Sequence, residues 1–167
     1  GERAIVDGAV DLFWQHIAGL NNVFCVSASG IPALTACEGT IGGIGVTPAG
    51  ELLFVRRNYG AAVLSRLSKD TAGTWRQYDL TSGRPASTVG ALTVGPDGQV
   101  YFVVDNTVLR VPISGGSPTV VAGGGTGLDG APARSAALAY VGDLAFGPDG
   151  SLFILETGAR RVRRIPP

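Results

Sequence analysis

The chain has 167 residues, enough for one domain with a real core, and its 45% apolar and 16% charged content excludes a disordered chain. Its 13 basic and 13 acidic residues balance, so no global field draws it to nucleic acid or to a membrane surface. No apolar run reaches the roughly 18 residues of a spanning helix, and no basic and apolar leader opens the sequence. Met is absent even from position 1, which reads as a mature or partial chain with any leader already removed. Gly is used 26 times, about twice the average share of roughly 7%, and with no collagen-type period the glycines are expected in turns.

Taken in chain order, "RAIVDGA" (Arg3 to Ala9) reads as a strand that could pair with the last unit and close a ring, which would also remove an exposed edge. A helix over 4–18 is the rival reading, and Gly8 with the neighbouring β-formers argues against it. A short first unit follows, "LFWQHIA", "VFCVSA" and "PALTACE". It holds the single histidine, His16, whose apolar setting fits a core or blade-edge residue better than a ligand. It also holds both cysteines. Cys25 and Cys37 stand in apolar segments separated by a short turn, and one disulfide in an oxidising compartment is expected. Two buried thiols are the alternative. The pairing would place the chain outside the cytoplasm, extracellular or periplasmic.

The next three units are copies of one pattern. The second reads "GIGVTP", "ELLFVRR", "AAVLSRLS", "TWRQYDL"; the third "ALTVG", "QVYFVVD", "TVLRVPI", "PTVVAGG"; the fourth "DLAFG", "SLFILET", "RRVRRI". Their second strands start at Leu52, Val100 and Leu152, 48 and 52 residues apart. In each, a Pro-x-Gly turn joins the first two strands, with Pro presetting one dihedral and Gly accepting a positive one. The second strands are nearly all apolar, as expected where a sheet is covered on both faces. Four-stranded antiparallel units at this spacing are the pattern of propeller blades. The expected fold is all-β, a β-propeller of about four blades, either a small closed ring or an arc or fragment of a larger one. The expected division is one domain, 1–167, with blades at 10–39, 41–80, 90–123 and 141–167 and 3–9 as the closing strand.

"VVAGGGTGLDGAPARSAALAYVGDLAFGPDGSLFILETGARRVRRI", Val120 to Ile165, resembles an NHL-repeat segment. The marks are the "AGGG…GAPA" linker, the "GDLAFGPDGSLFI" hairpin and the "TGARRVRRI" strand. The likeness is weaker over 41–68 and 90–113 and poor before Gly39. It implies a β-propeller, most often of six blades, and a binding platform more often than a lyase. It also admits a segment of a large surface protein, bacterial ones included. The family pattern also accounts for the Arg run Arg160, Arg161, Arg163 and Arg164 as a blade strand; the sharper reading, an anion or nucleic-acid stripe, lacks interleaved aromatics.

Chemistry is sparse. One histidine and two paired cysteines cannot build the metal cluster expected of a propeller lyase or lactone hydrolase. Asp105, Asp129 and Asp143 are conceivable oxygen ligands for calcium, but no dense acidic loop exists. The run "AGGGTGLDG" lacks the Gly-Lys-Ser/Thr ending of a phosphate loop, and Ser68-Lys69 lies in a polar turn. No catalytic, cofactor or metal residues are assigned and no cofactor is expected. Topology instead gathers the turns opposite the Pro-x-Gly hairpins on one rim, where Arg56, Arg57, Tyr59, Asp105, Asn106, Glu156 and Arg160 would form a binding face. The leading expectation is a non-enzymatic scaffold that binds a protein or peptide, through self-association or within a larger complex. The alternatives are a metal-assisted propeller lyase or hydrolase, to be recognised by a bound metal, and nucleic-acid binding, to be recognised by salt sensitivity and disfavoured by the neutral charge.

Overall fold

A computed structural model of the chain describes residues 31–32, by their backbone, and 39–167. The expected closing strand 3–9, nearly all of the unit 10–39, His16 and the Cys25–Cys37 pair lie outside the described residues. What is described is antiparallel β-structure in three sheets, with one short 3-10 turn at Ala133–Ser135.

The first sheet orders its strands β1 (Ile31–Pro32), β5 (Trp75–Asp79), β4 (Ala61–Lys69), β3 (Leu52–Asn58) and β2 (Thr40–Val46), and β6 (Arg84–Pro85) adds to β4. The second runs β10 (Thr119–Ala122), β9 (Thr107–Pro112), β8 (Gln99–Val104), β7 (Val89–Val94). The third holds β11 (Val141–Phe146), β12 (Leu152–Glu156) and β13 (Arg161–Ile165). Each repeat therefore becomes a meander, as its strand-turn-strand pattern dictates. Ile31–Pro32 joins the outer edge of the following sheet through β5.

The three Pro-x-Gly turns share one geometry. Thr47, Gly95 and Gly147 each donate their amide to the carbonyl four residues on, at 2.8, 2.8 and 2.9 Å. Gly50, Gly98 and Gly150 sit at φ +80°, +70° and +81° and donate back. That is the three-residue hairpin in which a type I turn is followed by a left-handed residue, and only Gly adopts it without strain.

Two apolar clusters hold the sheets together. Leu53, Val55 and Leu64 of the first sheet pack on Val100, Phe102, Val104, Leu109 and Val111 of the second. Tyr101, Val103 and Val108, on the reverse face of that sheet, pack on Val141, Leu144, Leu152 and Ile154 of the third. The middle sheet is thus buried on both faces, which explains the uninterrupted apolar run "VYFVV". At about 1.5–3 kcal/mol for each buried large side chain, this burial is the main stabilising term.

The sheets converge at their first strands. β2 packs on β7, and β7 on β11. A Cβ on Gly42 would lie 2.6 Å from the Val89 carbonyl carbon, and one on Gly43 2.5 Å from the Leu92 amide nitrogen. All three first strands carry a register irregularity there, between Ile41 and Ile44, Val89 and Leu92, and Val141 and Asp143. Three sheets fanned with their first strands innermost form an arc of a β-propeller, the expected fold class.

Gly43→Val must force backbones apart, so a loss of about 3 kcal/mol is expected. Gly50→Ala meets open space and bears only its positive φ, so about 1 kcal/mol is expected there. Thermal melts of the two variants check the order, at about 2–4 °C per kcal/mol for a chain of this size.

Candidate functional site

The rim opposite the Pro-x-Gly turns is built by the turns between second and third strands. Tyr59 and Gly60, Asp105 and Asn106, and Arg160 take positive φ to make them. Several of the polar groups expected to face a ligand are used within the fold. Asp105 Oδ1 accepts the amides of Ser87 and Thr88, at 2.9 and 2.7 Å, and ties its turn to the link entering β7. Asn106 Oδ1 accepts the Val141 amide at 3.2 Å and joins the second sheet to the third. Arg57 Nε donates to the Ala86 carbonyl at 2.8 Å. Arg56 is buried, donating from Nε to Ser65 at 3.0 Å and from Nη2 to Asp79 at 2.9 Å. Tyr59 is exposed on its turn, and Arg160 is exposed beside Arg161.

Glu156 anchors the most charged part of the rim. Its register in the third sheet matches that of Arg56 in the first, opposite the start of the innermost strand. It is fully buried and accepts hydrogen bonds from the Ala139 amide at 2.8 Å and from Arg161 Nε at 3.0 Å, while Arg163 adds a second ion pair. Burial pushes this carboxyl up, but the Arg161 hydrogen bond, the Ala139 amide and the two guanidinium charges outweigh it and hold it below its ordinary value. Glu156 is therefore ionised at neutral pH and is no proton donor. Asp129, well exposed on the long link, closes the cluster against Arg161 at 3.3 Å and Arg163 at 3.1 Å. Next to it lies a cavity of about 450 Å3 floored by Ala122, Leu138 and Ile154 and walled by Asp129, Arg161 and Arg163.

This cluster was not assembled from the sequence, although alternation in "RRVRR" and the antiparallel pairing of Arg161 with Glu156 put Arg161 and Arg163 on the same face as that acid. The last Arg of the run has another role. Arg164 reaches Asp149 of the hairpin turn at 2.8 Å, as Arg110 reaches Asp97 at 3.9 Å and Arg66 reaches Glu51 at 3.5 Å. These arginines hold one register across the three sheets, opposite Leu53, Tyr101 and Phe153. Arg161, Arg163 and Arg164 are all matched to acids within the chain, so they form no open anionic-ligand stripe.

The three acids considered as calcium ligands do not converge. Asp105 caps its link, Asp129 pairs with arginines, and Asp143 stands on β11, its Oδ1 accepting the Leu144 amide at 2.8 Å. Among the described residues no group of three His, Cys, Asp or Glu side chains could hold a metal ion. No described helix is long and apolar enough to cross a membrane. Asp143 has a distinct position all the same. It is the only charged residue on the innermost strands, "TIGGIGV", "VGALTV" and "VGDLAF", it is exposed, and it occupies the irregularity that holds Gly43 and Ala91 in the other sheets. Such irregularities re-aim side chains and are enriched beside active sites.

No family model matches the chain, and no curated protein does. Solved structures do. A catalytically inactive variant of virginiamycin B lyase from Staphylococcus aureus, solved with quinupristin, superposes with a TM-score of 0.50 and 22% identity over 75% of this chain and 38% of that one. A protein assigned as a gluconolactonase gives 0.51 and 18% over 78% and 40%. The PQQ-bound aldose sugar dehydrogenase of Streptomyces coelicolor gives 0.50 and 19% over 87% and 48%. The chain spans less than half the length of each. At these identities the likeness shows the fold, which is of the β-propeller type, and does not single out NHL repeats. It also corrects the expectation of a non-enzymatic scaffold. The three neighbours are, by name, a lyase, a lactonase and a dehydrogenase, so this fold gives no ground for reading the chain as a passive platform.

Glu156→Gln is expected to cost about 2 kcal/mol, because it removes the charge that both guanidiniums face. The pH dependence has a definite sign. A carboxyl held low in the folded state stabilises the fold above its unfolded value of about 4.3, and that stability fades as pH falls through the folded value. Urea titrations at stepped pH should show the wild type and the variant converging in stability below about pH 4.3.

Proposed function

We propose that the chain is an arc of a propeller-type enzyme of the lyase or hydrolase class, with NHL-like repeats as its blades. The observation that carries this reading is Asp143, a lone exposed carboxylate on the three described innermost strands, which are otherwise uncharged, in a fold shared with named catalysts. Its role is that of a base, taking a proton from a carbon beside a carbonyl in the lyase case or from water in the hydrolase case. The described donors do not assemble a metal site by themselves, so no step is assigned to a metal.

The test is turnover of a panel of lactones and cyclic ester peptides by the 167-residue chain, with and without added divalent cations, products being read by mass. A gain of one water identifies a hydrolase, and ring opening without gain in mass identifies a lyase. Asp143→Asn should lower the rate about 100-fold with an unchanged melting temperature. If no substrate is opened under any condition, or if the variant matches the wild type, the reading fails.

A further inference from the structure

Among the described residues, five that are not glycine take a positive φ, and four of them lie in turns joining paired strands. Tyr59 stands with Gly60, and Asp105 with Asn106, at the centre of two-residue hairpins, which demand that conformation. Arg160 ends the four-residue turn between Glu156 and Arg161. Tyr140, at φ +49°, lies in no such turn. A left-handed backbone is strained for a bulky side chain, whereas Gly adopts it freely.

The repeat shows that the strain is not required by the bond made there. Tyr140 precedes Val141 as Thr88 precedes Val89, and the two valines hold the same register in their sheets. Each carbonyl accepts the amide of the residue that follows the second strand, Thr88 from Asp105 at 3.3 Å and Tyr140 from Thr157 at 2.9 Å. Thr88 does so without a positive φ. Both positions are exposed, and Thr88 stands in the sheet that is packed on both sides, so the openness belongs to the position in the repeat.

The backbone around Tyr140 is pinned from three directions. The Ala139 amide donates to Glu156 at 2.8 Å, the Tyr140 carbonyl accepts the Thr157 hydroxyl at 2.8 Å as well as its amide, and the Val141 amide donates to Asn106 of the middle sheet at 3.2 Å. Strained backbone persists only where its surroundings over-determine it, and such residues cluster at active sites and ligand clamps. The ring is held too. A Cβ on Gly158 would lie 2.5 Å from Tyr140 Cδ2, so the ring rests against the Gly158 backbone, and Tyr140 is nevertheless 73% exposed. Asp143 follows three residues later, which puts the two Cα atoms at most about 11 Å apart.

We propose that Tyr140 is a substrate-contacting residue of the Asp143 site, its ring a platform for a planar apolar group of the substrate. A rigid, exposed aromatic offers a large contact area with little conformational freedom left to lose. The inference rests on the enzymatic reading for the reaction at Asp143, and it narrows the substrate to an ester or lactone that carries an aromatic ring near its carbonyl.

The experiment compares δ-valerolactone with its δ-phenyl derivative, which share the reacting group and differ in the ring available to stack. Affinity is read by ligand-observed NMR titration of the 167-residue chain carrying Asp143→Asn, with Tyr140 kept or changed to Phe or to Gly. Tyr140→Gly should weaken the phenyl derivative about 10-fold, the size of an aromatic pair with the area it buries. Tyr140→Phe should bind it as before, and δ-valerolactone should respond to neither change. With Asp143 intact, Tyr140→Gly should raise KM for the phenyl derivative and leave kcat nearly unchanged. Because Gly accommodates the positive φ, its melting temperature should equal or exceed that of the wild type. Equal loss for both lactones, loss for neither, or no binding of the phenyl derivative overturns the proposal. A lower melting temperature with unchanged affinity does so too, by assigning the side chain to packing. Ring-dependent binding by a chain that opens neither lactone sinks the enzymatic reading and leaves Tyr140 a binding residue, whereas turnover indifferent to Tyr140 does the reverse.

Discussion

The close approach of backbone to backbone at the innermost strands is the constraint from which the rest follows. Gly42 and Gly43 lie against residues 89–92 so tightly that a single added methyl would enter the neighbouring main chain. Gly90 repeats the arrangement more loosely, with a Cβ there 3.4 Å from the Val141 carbonyl oxygen. Strands can pinch together at one edge only if their side chains vanish there. Once they do, the sheets splay outward, and larger residues such as Phe102, Leu109 and Ile154 fill the widening space. A wedge of this kind has no slack at its narrow end, which is why small residues there and bulky ones further out are two sides of one requirement.

Much of this fold is legible in the chain itself. The three Pro-x-Gly turns and the apolar second strands declare the hairpins, because a turn's demand for a positive φ and a strand's burial on both faces are both written locally. The innermost irregularities are not written locally. "TIGGIGV" shows glycines but not that they meet a neighbouring backbone, since that contact joins segments nearly fifty residues apart. The rim suffered most from the same limit. Arg56 and Glu156 look like exposed end-of-strand charges, yet the first finds Asp79, 23 residues on, and the second finds Arg161 and Arg163. Charge in a sequence advertises itself, but its partner does not. Only the repeat could have revealed the matched arginines, because Arg66, Arg110 and Arg164 hold one position against the hairpin acid of each sheet.

These pairings separate structural from available charge. The hairpin-turn pairs are partly exposed and contribute little individually, so their recurrence serves register more than stability. The Glu156 cluster is different because its carboxylate is wholly enclosed, and enclosing it without two guanidiniums would be prohibitive. Asp143 belongs to neither group. It has no cation among the ion pairs of the described residues, and its hydrogen bond is to the next amide along the chain. A carboxylate placed where the other sheets hold Gly43 and Ala91 is a departure from the repeat.

The geometry of a wedge also gives the arc a direction. The middle sheet uses one face toward its predecessor and the other toward its successor, and these faces carry different residues: Val100, Phe102 and Val104 on one side, Tyr101, Val103 and Val108 on the other. Joining unlike faces continues the rotation that the three sheets already establish. Directionality within the repeat therefore fixes the order in which sheets can follow one another, and the rotation carried by each wedge fixes how many are needed before the last face meets the first.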